Sequence, residues 1–173
     1  MKKTEKTNSS ASNSSQKDID LIELALESMR EKSSLAEETG ITTKQIEALY
    51  ALGFKLYQAE CFPQAADIFR LLCFYEPRNS RNWIALGGAN QHTKNHYSAA
   101  AAFAMASMYD PLNPEPKFYS AHCFIDLMNL PLALQCAETS LHLCKSSGEN
   151  SIRPRVQALC NALVAHLASN KIL

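Results

Sequence analysis

The chain has 173 residues, enough for one domain with a sizeable core. Seventeen basic and seventeen acidic residues leave a formal net charge of zero, which argues against broad electrostatic binding to nucleic acid or to an anionic membrane. Five Gly and seven Pro are too few for a turn-rich all-β fold, and the sequence has no apolar run of about 18 residues, so no stable membrane insertion is expected.

Residues 1–17 carry four Lys and one Glu with no apolar stretch, so they read as a disordered tail rather than a signal peptide. The expected compartment is reducing and cytoplasm-like, with the six cysteines as free thiols. Residues 18–40 are acidic, with seven acids against two bases. Asp20 and Glu23 have the spacing of a helix start, and Ile22, Leu26 and Met29 form one apolar stripe. That stripe has two readings: packing onto the chain's own core, or a dimerisation helix followed by a linker ending at Gly40. A stripe this short buries little area, so the homodimer it implies is weak.

From Ile41 the chain repeats itself. Ile46, Ser80 and Pro114 start three units spaced 34 residues apart. The second unit carries Trp83, Leu86, Gly87, Ala99, Phe103, Ala106 and Pro111, which match the tetratricopeptide signature position by position. The first unit matches with Leu52, Gly53, Ala65, Phe69 and Pro77, but has Leu49 for the aromatic and Leu72 for a small residue. The third keeps Ala121 and Ala133, with Ala137 for the aromatic and Lys145 for the terminal proline. Gly53 and Gly87 fall mid-helix, where glycine costs about 1 kcal/mol against alanine. That cost makes sense where a neighbouring helix passes too close for a larger side chain.

The helix signals agree with this register. Thr42 and Gln45 form a capping box, Ile41 and Ile46 a hydrophobic staple, and Asn113 caps a helix with Pro114 at its first position. Helices are predicted at 43–58, 63–75, 80–93, 97–109, 114–128 and 131–144. Residues 146–173 read as a loop and a capping helix over 153–170, with Val156, Leu159, Cys160, Leu163 and Leu167 on one face. The predicted fold is therefore all-α: a solenoid of three helix-turn-helix repeats over 41–145, with an N-terminal helix and a C-terminal cap.

No catalytic constellation emerges, and neither a cofactor nor a metal is implied. Gly87-Gly88 lies inside a helix with no Lys-Ser or Lys-Thr after it, so it is not a phosphate loop. His92 and His96 straddle a turn, and Cys136, His142 and Cys144 lack a C-x-x-C partner, so the cysteines read as buried thiols. The chain reads as a binding protein, not an enzyme.

The concave face of such a solenoid is lined by the first helix of each pair. The first unit offers Tyr50, Phe54, Tyr57 and Gln58 to that face, and the second offers Arg81, Ile84, Gly88, Gln91 and His92. The third offers Phe118, His122, Ile125 and Asp126. An aromatic and aliphatic groove of this kind suits an extended apolar peptide. The other reading is that Tyr50, Phe54 and Phe118 pack against the N-terminal helix.

Residues 46–86, with Leu49 to Phe54 and Tyr57, Phe69 to Cys73 and Trp83 to Gly87, resemble the class II type III secretion chaperones of translocator proteins. Pro114 followed by Phe118 to Cys123 resembles that family's third repeat. This chain departs at the turn after Gln58, where the family's glycine is Glu60 or Cys61. The resemblance implies a chaperone of the bacterial cytoplasm that uses no ATP. It implies binding of an N-terminal segment of secreted hydrophobic translocators, dimerisation through the N-terminal helix and, in some members, assistance to a transcription activator. The alternative is a general repeat adaptor that joins cytosolic partners.

Overall fold

The computed structural model describes residues 39–147 and 151–169. The expected tail and the stripe of Ile22, Leu26 and Met29 lie outside the described residues. Seven helices follow one another among those described: α1 (Thr43–Gln58), α2 (Phe62–Tyr75), α3 (Ser80–His92), α4 (His96–Tyr109), α5 (Glu115–Asp126), α6 (Leu130–Ser147) and α7 (Arg153–Ser169). Each packs chiefly on the next in the chain, the one-dimensional contact order of a solenoid. No helix among the described residues is long and apolar enough to cross a membrane.

Local chemistry sets the helix ends, and it recurs every repeat. Thr42 and Gln45 form the reciprocal capping box at α1, and Ile41 packs on the cluster that holds Ile46. The Asn79 side chain accepts the Arg81 N–H, and Asn113, one repeat on, accepts the Glu115 N–H at 3.0 Å. Pro114 is itself the residue before the first helical position of α5, already in helical conformation, so this helix begins one residue later than its sequence signal. Glu76 and Asp110 leave the helical region ahead of Pro77 and Pro111, because proline crowds the residue before it.

The turns within the three pairs are superimposable in their hydrogen bonds. Cys61, Asn95 and Asn129 N–H groups donate to Leu56, Asn90 and Phe124 carbonyls at 2.8–2.9 Å. Each turn needs one left-handed residue, and these are Glu60, Lys94 and Met128, with φ of 58–60°. None is glycine, so each carries a steric cost of about 1 kcal/mol that the capping bonds offset.

The mid-helix glycines have the close neighbour that their cost demands. A Cβ at Gly53 would lie 2.8 Å from the Phe69 ring, and one at Gly87 would lie 2.5 Å from the Phe103 ring. Phe69 and Phe103 are both 1% exposed. In the third repeat Ala121 and Ala137 share a buried cluster, and Ala137 stands where the first two repeats have Phe69 and Phe103. Ser140, fully buried, donates to the Pro114 carbonyl at 2.8 Å and ties α6 to the start of α5.

The α7 helix lays Val156, Cys160 and Leu163 onto the third-repeat cluster. All six cysteines are free. Cys73, Cys123, Cys144 and Cys160 are buried, and burial pushes the Cys123 thiol up to about 12. Cys61 and Cys136 are half-buried.

Candidate functional site

A cavity of about 320 Å³ opens across the first helices of the three repeats. On α1, Tyr50, Phe54 and Tyr57 recur at helical spacing and form one wall. Ile84, Gly88 and Gln91 occupy the same repeat positions on α3, and Ala85 and His92 join them. Tyr119 from α5 forms the far wall. Phe69 and Phe103 form the floor, so the rings that fill the helix pairs also line the cavity.

Aromatic contacts fix this surface. Tyr50 meets Phe69 at 5.6 Å between ring centroids. Tyr57 meets Phe62 and His92 edge-on, and the Phe62 and His92 rings stack at 4.3 Å. Phe54 is 48% exposed at the rim. The Arg81 guanidinium lies 3.5 Å above the Tyr50 ring and 3.2 Å from the Glu47 carboxylate. Burial works against the Arg81 charge, but Tyr50 and Glu47 outweigh it, so its pKa is raised. Burial raises the Tyr57 and Tyr119 phenols, which stay protonated donors.

The structure thus brings together seven of the residues expected in the groove, Tyr50, Phe54, Tyr57, Ile84, Gly88, Gln91 and His92, with Arg81 against Tyr50. It places Phe118, His122 and Ile125 elsewhere. Phe118 is 3% exposed and packs with Val156 and Cys160 of α7. His122 meets the Phe118 ring edge at 4.8 Å, and desolvation lowers its pKa. Ile125 packs on the same cluster. The reason is α7, whose apolar face covers this side of the third repeat and whose Arg155 sits 5.0 Å over the Phe118 ring.

Tyr119 and Ala85, missed in the sequence, both hold the sixth position of their repeats. The signal was available: a capping helix with an apolar face must cover a neighbour's side chain, which turns the fifth position inward. The paired histidines separate as well. His92 ends α3 against Phe62, while His96 begins α4, with Nδ1 3.2 Å from the Asp126 carboxylate. Among the described residues no three His, Cys, Asp or Glu side chains are grouped to hold a metal.

The chain matches no family model. It is 27% identical over 109 residues to the low calcium response locus protein H of Yersinia pestis, covering 62% of this chain and 65% of that protein. The matched region is therefore just under two thirds of that relative's length. Among solved structures, the chain is similar to PcrH of Pseudomonas aeruginosa in complex with the chaperone binding region of PopD. The TM-score is 0.70 at 26% identity, covering 73% of this chain and 96% of that one. The type III secretion translocator chaperone SycD of Yersinia enterocolitica gives a TM-score of 0.70 at 22% identity, over 76% and 99% of the two chains. SycD has also been solved as an alternative dimer. The chain has the tetratricopeptide-repeat fold of these translocator chaperones.

Proposed function

We propose that the chain is a type III secretion chaperone of class II, a binding protein and not an enzyme. It holds an extended, apolar N-terminal segment of a secreted translocator in its concave groove and keeps that protein soluble and export-competent in the bacterial cytoplasm. The observation that carries this reading is the open aromatic cavity spanning α1, α3 and α5. Its volume of about 320 Å³ takes a few side chains of an extended segment, not a folded domain. Similarity to PcrH, whose structure holds a translocator's chaperone binding region, supports the same reading. Tyr50, Phe54, Tyr57, Ile84, Gly88 and Gln91 contact the segment, with Arg81 at the rim. The stripe of Ile22, Leu26 and Met29 makes a weak homodimer contact.

Co-expression tests this function against a general adaptor role. A candidate translocator that is insoluble when expressed alone is expected to become soluble in its presence, as a complex that purifies intact. A translocator that stays insoluble, with only soluble cytosolic proteins forming stoichiometric complexes, supports the adaptor instead. Leu26→Asp tests the dimer contact, with a shift towards monomer in sedimentation as the expected result.

A further inference from the structure

Three tyrosines line the cavity. The Arg81 guanidinium covers the Tyr50 ring, 3.5 Å from its centroid. Tyr57 and Tyr119 are half-buried, and among the described residues neither phenol makes a hydrogen bond. The two come from helices on either side of α3, Tyr57 from the first repeat and Tyr119 from the third. Gly88 of α3 lines the same cavity, and a Cβ there would sit 3.6 Å from the Tyr57 Oη. Burial raises the Tyr57 pKa, and Tyr119 adds to that rise.

An extended segment laid in an aromatic groove loses water from its backbone. Its N–H and C=O groups then need partners, because a buried polar group without one is costly. Successive carbonyls of an extended chain point to opposite sides. Two hydroxyl donors on opposite walls fit that alternation, and the glycine on α3 lets the main chain come close.

We propose that Tyr57 and Tyr119 clamp the main chain of the bound segment where it crosses Gly88, each donating its O–H to a backbone carbonyl. This inference rests on the groove reading above. The clamp fixes where the segment lies, while the aromatic floor and rim read its apolar side chains. Contacts to the main chain do not depend on cargo sequence, so one groove accepts segments that share anchor spacing but differ between the anchors.

The test uses the full chain and a peptide selected on it from a phage-displayed library of random 12-residue sequences. Tyr57→Phe and Tyr119→Phe keep the rings and remove only the hydroxyls. Each is expected to weaken the peptide by about 2- to 10-fold in calorimetry, with an unchanged melting temperature. Replacing single peptide amides by esters weakens the carbonyl acceptors. One such ester is expected to cost affinity in the wild type and to cost nothing in the matching Phe variant. Wild-type affinity in the double Phe variant overturns the clamp. Coupling of Tyr119→Phe to a peptide side chain, and to no ester, also overturns it. A library that yields no binder at all overturns the groove reading itself, and the clamp with it.

Discussion

In the second repeat Gly87 faces the Phe103 ring, whereas in the third repeat Ala121 shares its cluster with Ala137. Both pairs fill the space between two helices, but from opposite directions. In the second repeat one large ring occupies the gap, the facing residue shrinks to glycine, and the ring's other side becomes cavity floor. In the third repeat alanine replaces the ring at position 137, and Phe118 with Val156, Cys160 and Leu163 of α7 completes the same cluster. The cavity therefore runs from α1 past α3 to Tyr119 of α5, while α7 covers the Phe118 side of the third repeat. The same architecture yields an open cavity in one place and a sealed core in another.

The comparison breaks most sharply at Gly87. Gly87→Trp is expected to abolish cooperative unfolding in circular dichroism, because even a Cβ there lies 2.5 Å from Phe103. The neighbouring Gly88→Ala is expected to keep the fold, since its nearest contact is an ordinary 3.6 Å. Equal tolerance at both positions would remove the reason given for glycine at Gly87.

Phe118→Ala comes next. Its ring is core beneath α7, so the loss is expected in stability, at about 3–5 kcal/mol in denaturant melts, with peptide affinity retained under conditions where the variant is folded. A variant that melts like wild type yet loses peptide would return Phe118 to the groove.

Tyr57→Ala is expected to do the reverse and cost about 2 kcal/mol of peptide affinity in calorimetry, as a central aromatic anchor does. Its half-buried ring makes a smaller contribution to the core than Phe118 does. Proportionate loss of affinity and stability in both variants would dissolve the distinction between the two ends.

The smallest effect belongs to the turns. Lys94→Gly and Met128→Gly relieve left-handed strain, and each is expected to raise stability by about 0.5–1 kcal/mol in chemical denaturation. A larger gain at one turn than at the other would show that the repeats differ in more than their packing pairs.

Much of this architecture was legible in the residues. The 34-residue period, the Gly53 and Gly87 positions opposite phenylalanine, and Pro77 and Pro111 after their helices describe local rules that each repeat obeys by itself. The capping box at Thr42 and Gln45 formed as its spacing predicted, because such bonds span a single turn. The wall from α1 was legible for the same reason: Tyr50, Phe54 and Tyr57 share a face through helix geometry alone. The fate of Phe118 was not, and neither was the arrival of Tyr119 in the cavity.

The sequence by itself determined the helices, their pairing and which positions had to be small, since these follow from backbone periodicity and from contacts between neighbours in the chain. Only the tertiary structure decided where the groove stops. That depends on how α7 docks across the third repeat, burying Phe118 at 3% exposure and leaving the adjacent Tyr119 to face the cavity. The pattern of each helix specifies its apolar face, but two adjacent aromatics on one helix both satisfy that pattern. Which of them is covered is settled by the angle at which another helix packs, and packing angle is a property of the assembled surfaces.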